Sequence, residues 1–319
     1  MPATGHDVHI DVPLTNIALD YRPSGMIADL ICPIVPVPKQ SNMYPVWSQA
    51  DAFRVVDDTR APGEEAHKIY RSVSSDTYFC LGRALKMGLT LEDMENADEA
   101  YITKLREGRT TFILDKLALG WEKRVALMCT SGSNVGSYSV TASAWTGTGA
   151  DPVTDVRNKI NMVQDVSGYR PNRIVMGGKA WRTFRSAIPV TNMIWGSAGG
   201  NPPSRTLSRE QAAALFEVDQ VLVGDAYYNS AGGQLTMSLA SLWSDHVWVG
   251  YVAPNPSTDV PSALYTFRWS RPGVPNLQVE RHPYDTKKKS EEIEAGYYQD
   301  EKKVSSSLMA LLLSVNSSG

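Results

Sequence analysis

The sequence predicts an α+β fold, which combines a long helix and a hairpin with a region of mixed strands and helices. A proline-free stretch at 95–129 repeats apolar residues at three- and four-residue steps, which predicts a long helix. Residues 43–79 have the pattern of a long hairpin, and 151–250 alternates short strands with helices. The chain has 319 residues, of which 42% are hydrophobic, so it is large and apolar enough to form a core.

The first forty residues are rich in proline, so this N-terminal segment is expected to be mostly extended. One short helical turn fits 25–31. Apolar residues such as Leu30 and Val35 cannot be buried by an extended segment alone. The segment is therefore expected to lie on another surface, either of its own chain or of a neighbouring one.

The predicted hairpin has arms at 43–56 and 67–79, joined by a charged tip that contains the turn dipeptide Pro62-Gly63. A lone hairpin is marginally stable in water, so a partner subunit is expected to pack on it. Its two large aromatic residues suit an interface, although a place in the core remains an alternative for them. The candidate subunit contacts are Tyr44, Trp47, Arg54, Asp57, Asp58, Arg60, Glu64, Glu65 and Lys68.

The second half of the chain begins after a segment at 131–151 that is rich in Ser, Thr and Gly, and that predicts a domain junction. Asp151 and Pro152 then open a helix that Gly168 ends, and a capping box at Ser208 and Gln211 opens another. The remaining predicted elements are strands at 173–176, 218–224, 225–252, 263–269 and 308–315, a helix at 178–187 and a loop at 192–208.

Motifs of catalysis are absent from the sequence: no phosphate-binding loop, zinc-protease motif or nucleophile elbow occurs. His6 and His9 are near two aspartates, but a mobile tail explains them better than a metal site. His246 beside Asp245 is interpreted as a turn histidine, because no positioned nucleophile accompanies it. The sequence therefore predicts no catalytic, cofactor or metal site, and no enzyme.

The net charge, the apolar runs and the cysteine spacing argue against further classes of protein. The net charge of −3 argues against a protein that holds nucleic acid through a strong basic patch. The acidic residues at 92–99 fit a helix N-terminus, and Lys287–Lys289 precede acidic residues in a solvated or subunit-contact strand. The longest apolar run, 308–315, is far shorter than the roughly 18 residues of a membrane span. The three cysteines have no metal-binding spacing and are expected to be reduced and mostly buried.

An ordered set of segments nonetheless resembles a known family over nearly the whole chain from Tyr21 onward. These segments are YRPSGMIADLICPIVPVPKQS, DTRAPGEEA, SSDTYFCLGRALKMGLTLEDMENADEA, PNRIVMGGKAWRTFR, LFEVDQVLVGDAYYN and YTFRWSRPGV. In this order they resemble tailed-bacteriophage major capsid proteins with the Hong Kong 97-type fold. The resemblance implies an N-terminal arm at 1–42, an E-loop hairpin at 43–79, a P-domain at 80–150 with a spine helix at 95–129, an α/β A-domain at 151–250, and a return to the P-domain at 251–319.

The resemblance also implies a function. Such a protein self-assembles as pentamers and hexamers into an icosahedral shell around phage double-stranded DNA, without sequence-specific binding and without a membrane. It would be assembled in the bacterial host cytoplasm, with a separate scaffolding protein, a portal and, in some relatives, a decoration protein. Some relatives form a covalent crosslink from a hairpin lysine, but Lys68 has no identifiable asparagine partner here, so none is expected.

Two other functions stay open. An encapsulin-like compartment would use the same fold to enclose protein cargo instead of DNA. An α/β enzyme would be centred on 151–250 and would need a pocket with convergent polar groups, which the sequence does not indicate.

Overall fold

The computed structural model describes residues 9–10, 12–20, 25–47, 49–140, 144–147, 149–196, 206–232, 236–270 and 277–316. The helices in these residues are α1 (Val12–Asp20), α2 (Ala28–Ile31), α3 (Gln49–Ala52), α4 (Leu91–Glu95), α5 (Glu99–Thr130), α6 (Pro152–Ser167), α7 (Gly178–Ser186), α8 (Ile188–Trp195) and α9 (Arg209–Phe216). The strands are β1 (His9–Ile10), β2 (Ile34–Val37), β3 (Ser41–Trp47), β4 (Val73–Phe79), β5 (Leu81–Thr90), β6 (Ser137–Val140), β7 (Arg173–Gly177), β8 (Gln220–Gly224), β9 (Tyr227–Asn229), β10 (Leu239–Ser241), β11 (Val247–Gly250), β12 (Leu264–Trp269), β13 (Gln278–Asp285), β14 (Ser290–Lys303) and β15 (Met309–Leu313).

Two sheets organise these elements. The first has six strands in the order β1-β13-β14-β12-β2, and β5 pairs with the other side of β14. The second has five strands in the order β6-β15-β11-β7-β8. Two short antiparallel pairs, β3–β4 and β9–β10, project from this framework. The predicted α+β class is confirmed.

Helix α5 joins the two sheets. Its 32 residues span about 48 Å at 1.5 Å per residue. In its middle, Ile113 and Leu117 pack on Ile293 of the first sheet. Near its end, Val125 and Cys129 belong to the core that lies on the second sheet. One continuous apolar stripe therefore holds both sheets on the same helix, as the residue spacing predicts.

The start of α5 differs from the predicted residue 95. A separate turn of helix, α4, precedes it, and the Thr90 hydroxyl accepts a hydrogen bond from the Asp93 backbone N–H at its beginning. Asp98 then occupies the N-cap position of α5 in extended geometry. The predicted helix therefore begins at Glu99, after the separate helix α4 has ended at Glu95.

The prediction of a mostly extended N-terminal segment is wrong for α1. Leu14 and Ala18, four residues apart, are buried against Ile113 and Leu117 of α5. Pro13 does not prevent this helix because the first turn has no internal partner for its backbone N–H groups. The loop predicted at 192–208 is wrong in the same way at its start, since α8 continues to Trp195.

Local signals at 151–224 are confirmed. The Asp151 side chain accepts from the Thr154 N–H at 3.1 Å, and Gly168 ends α6 with a φ of 72°. Ser208 and Gln211 form the predicted capping box of α9. These signals depend only on neighbouring residues, which is why they can be read without the tertiary structure.

The five-stranded sheet extends beyond the segment 151–250. Strand β15 lies between β11 and β6, so chain from 137–140 and from 309–313 completes this sheet. Leu311 of β15 is fully buried on the face that holds α5. The five-stranded sheet takes β7, β8 and β11 from 151–250, and its packing also depends on the C-terminal strand β15.

Candidate assembly interface

The base of the hairpin is anchored in the body of the chain. Strands β3 and β4 pair in antiparallel register from Ser41 opposite Phe79 to Trp47 opposite Val73. Tyr44 is 3% exposed, its ring lies 4.9 Å from that of Phe267, and its hydroxyl donates to Asp76 at 3.0 Å. The prediction of Tyr44 as a subunit contact is therefore wrong, because this side chain is in the core.

Of the remaining predicted contacts, Trp47 ends β3 opposite Val73, and its side chain lies outside what the structure describes. The others lie beyond this base. Residues 54–72 form neither helix nor strand and are exposed, so the paired arms are shorter than predicted. Strand pairing ends at Trp47, and α3 is the next described element along the chain. The exposed charged residues of this tip are Arg54, Asp57, Asp58, Arg60, Glu64, Glu65 and Lys68. Their contact with another subunit stays a prediction.

The ends of the tip are fixed even though its middle projects. The Ser72 N–H donates to the Asp51 carboxylate at 2.8 Å, which closes the loop at its base. The Phe53 ring packs on Tyr169 at 5.7 Å and lies over Gly168. A Cβ at Gly168 would be 2.5 Å from this ring, and the φ of 72° at this residue favours glycine as well.

Exposed apolar side chains on the tip are the feature that the sequence analysis missed. Val55 is 96% exposed, Tyr70 84% and Ile69 75%. Leaving such side chains in water forgoes about 1.5–3 kcal/mol of burial free energy for each one. Apolar side chains clustered on a projecting loop are typical of an interaction surface.

The N-terminal segment is held by a buried carboxylate on α5. Glu122 has no solvent exposure, and its oxygens accept from the backbone N–H groups of Ile27 (2.9 Å) and Ala28 (2.7 Å) and from the Trp243 indole (2.6 Å). Burial raises the pKa of Glu122, while these three donors act in the opposite direction. One side chain thus connects the N-terminal segment, α5 and the strand region before β11.

A second buried carboxylate fixes α5 to the first sheet. Glu291 receives both Nε and a terminal guanidinium nitrogen of Arg106 at 3.0 Å each. Arg281 binds the same carboxylate at 2.7 and 3.0 Å. Further along α5, Arg124 contacts Glu301 at 2.8 Å. The contacts of Arg106 and Arg124 therefore tie α5 to β14 of the first sheet at two points along the helix.

The candidate catalytic groups do not form a reactive site. The His246 Nδ1 accepts from the Ser314 backbone N–H at 3.0 Å, so this histidine holds the end of β15. Its Nδ1 is 3.9 Å from the Asp245 carboxylate, too far for the hydrogen bond of a catalytic triad. His6 lies outside the described residues, and of His9 only the backbone is described.

No group of three or more potential metal ligands occurs in the part of the chain that the structure describes. Among the described helices, none is both long and apolar enough to span a membrane. Cys32, Cys80 and Cys129 are buried free thiols, as predicted.

Comparison with known proteins gives a consistent set of relatives. No family model matches the chain. The major capsid protein of Pseudomonas phage JBD67 is 26% identical over 241 residues, which cover 74% of this chain and 75% of that protein. The major capsid protein of Burkholderia phage BcepMu is 23% identical over 248 residues, covering 76% of each.

Solved structures show the fold. A phage-related protein from Bordetella bronchiseptica RB50 matches 97% of this chain and 98% of its own, with a TM-score of 0.74 and 21% identity. The capsid of Cyanophage P-SCSP1u matches 98% of this chain and 92% of its own (TM-score 0.57, 12% identity). A virus-like particle from Pyrococcus furiosus matches 94% and 95% (TM-score 0.54, 8% identity). In sequence the chain resembles phage major capsid proteins, and its fold is the Hong Kong 97-type capsid fold.

Proposed function

We propose that the chain is a phage major capsid protein, which assembles as pentamers and hexamers into an icosahedral shell around double-stranded DNA. The observation that carries this proposal is the projecting tip, with Val55, Ile69 and Tyr70 exposed, on a fold that capsid proteins share. The sequence similarity to two phage major capsid proteins supports it. The role is structural rather than enzymatic.

Shell assembly explains the shape of the chain in physical terms. Many weak contacts per subunit, closed by symmetry, give a stable shell without a strong single interface. A projecting loop increases the area that each subunit buries, at the cost of ordering a flexible segment. Pinning the loop at Asp51 and Phe53 reduces that cost, because only the middle of the loop remains to be ordered.

The proposed division of the chain follows the resemblance. Residues 1–42 are the arm, 43–79 the E-loop, 80–150 and 251–319 the P-domain, and 151–250 the A-domain. The net charge of −3 supports a shell that encloses DNA without binding it strongly. A separate scaffolding protein and a portal are its proposed partners, with a decoration protein as a further one, and the virion capsid is its proposed location after assembly in the host cytoplasm.

A second candidate function is a compartment of the same fold that encloses protein. Its support is the similarity to the virus-like particle from Pyrococcus furiosus, which matches 94% of this chain. The contents of the particle distinguish the two functions, because shell geometry alone is common to both.

Negative-stain electron microscopy of particles from the native source, with their absorbance ratio at 260 and 280 nm, tests the proposal. Closed polyhedral shells with a nucleic-acid absorbance ratio are expected. Shells with a protein ratio would support the compartment. Small oligomers alone, even with scaffold co-expressed, would refute both the capsid and the compartment. That result would favour an enzyme centred on 151–250.

Charge reversal on the tip tests where the contacts lie. Reversing Arg54, Arg60, Glu64 and Glu65 together is expected to lower particle yield while leaving the unfolding of the unassembled chain unchanged, because all four side chains are exposed. Replacing both Ile69 and Tyr70 by serine is expected to act in the same way. Normal yield from both variants would remove the interface from this loop. Intact monomers on a denaturing gel of mature particles are expected, since no crosslink is proposed.

A further inference from the structure

A basic turn and an acidic helix lie side by side at one end of the six-stranded sheet. The turn between β13 and β14 carries exposed Lys287, Lys288 and Lys289. Helix α4 follows β5, which pairs with β14, and the Leu91 N–H donates to the Lys289 carbonyl at 2.9 Å. Two exposed patches of opposite charge are therefore held next to each other by the backbone.

Part of this charge is used within the chain, and that part fixes the geometry. Arg109 contacts Asp93 at 2.7 Å and also donates to the Gly88 carbonyl, which ties α4 to α5. Lys288 contacts Glu292 at 3.1 Å, which ties the turn to β14. Each patch thus has one internal contact that holds it in place.

The other charged side chains of the two patches are exposed. Lys287 and Lys289 on the turn, and Glu92, Glu95 and Asp98 at α4 and the start of α5, are exposed. None of them forms a salt bridge with another residue that the structure describes. The two groups are adjacent and opposite in sign, yet they do not neutralise each other within the chain.

We infer that the basic turn of one copy binds the acidic α4 region of the next copy. The inference rests on the proposed function, and it names the charged residues that form one contact between two copies. The contact pairs the basic turn of each copy with the acidic α4 region of its neighbour, and repeating it around a rotation axis closes a ring. Complementary charge favours this pairing and opposes arrangements in which like charges meet.

The first test compares two charge-reversal variants with the unaltered chain. Lys287→Glu with Lys289→Glu makes both patches acidic, and Glu92→Lys with Glu95→Lys makes both basic. Each double variant is expected to need at least about a tenfold higher concentration to assemble, because favourable pairs become repulsive. Lys39→Glu with Lys179→Glu, two exposed lysines elsewhere, matches the charge change of the first variant and is expected to assemble normally.

The decisive test is the fourfold swap, which combines both double variants in one chain. It is expected to restore assembly, and the concentration required by the unaltered chain should rise with added salt. Unfolding of the unassembled double variants is expected to match that of the unaltered chain, since a contact between copies does not stabilise one copy alone. Normal assembly of the double variants would overturn this inference only. Failure of the swap, or equal losses of assembly and chain stability, would also overturn it, whereas failure of the unaltered chain to assemble would overturn the proposed function as well.

Discussion

Two neighbouring glutamates on β14 should differ sharply in their effect on stability. Glu291 and Glu292 point to opposite faces of the sheet, as successive strand residues do. The Glu291 side chain is 6% exposed and is bound by two arginines, whereas Glu292 is 20% exposed and is bound by Lys86 and Lys288. Each carboxylate thus has two cationic partners. Replacing each one by alanine removes the same number of ion pairs, so a difference in stability between the two variants reports burial and contact geometry.

The expected cost follows from what each replacement leaves behind. Removing one partner of a buried ion pair costs about 3–5 kcal/mol when the other charge stays fully buried. Arg106 and Arg281 are 23% and 41% exposed, so water compensates part of that loss. We expect Glu291→Ala to lower the free energy of unfolding by about 2–3 kcal/mol. We expect Glu292→Ala to lower it by less than about 1 kcal/mol, because both lysines are more than half exposed.

Urea unfolding of the unassembled chain, followed by tryptophan fluorescence, measures both values. The unfolding temperature should also fall by several degrees for Glu291→Ala only, at about 2–4 °C per kcal/mol. If Glu291→Ala does not fold, Glu291→Gln keeps one acceptor oxygen and should retain the same rank order. Equal losses from the two alanine variants would refute the argument that the buried, bidentate contacts fix α5 to the sheet.

Three further outcomes are expected. Glu122→Ala should speed hydrogen exchange at the Ile27 amide, measured by mass spectrometry, because that N–H loses its acceptor; unchanged exchange would contradict the anchoring role. Burial lowers the pKa of His246, so its contribution to stability is complete above its ordinary value of 6.5 and is lost as pH falls through the lowered pKa; urea unfolding between pH 7 and 5 should show a steeper loss than in His246→Asn. Burial raises the pKa of Cys32 to about 12, so a thiol reagent should label it only after unfolding, and rapid labelling of the folded chain would contradict this.

Elements set by neighbouring residues were predictable from the sequence. The cap at Asp151, the glycine end at Gly168 and the capping box at Ser208 each need only a few adjacent residues, and the structure has all three. The long helix was predictable because its apolar stripe recurs along more than thirty residues. Helix caps formed by adjacent residues, and apolar patterns repeated over many turns, can be recognised in the sequence without knowledge of the tertiary contacts.

Elements that depend on distant chain were not predictable. Helix α1 forms because Leu14 and Ala18 find an apolar surface on α5, about a hundred residues away. The same holds for the buried carboxylates. Nothing in the sequence near Glu122 or Glu291 distinguishes them from the other acidic residues, and only the fold brings donors from distant segments to their oxygens.

The hairpin shows how a correct pattern leads to an incorrect assignment of a side chain. Ile69 alternates with polar residues at period two, which predicts a strand with one buried face. A strand needs a partner, and no described residue pairs with 54–72, because the ladder of β3 and β4 ends at Trp47 and Val73. Val55 and Tyr70 are exposed for the same reason. Within the described residues the alternation is therefore not used in a strand pair, and burial of these side chains against another copy stays a prediction.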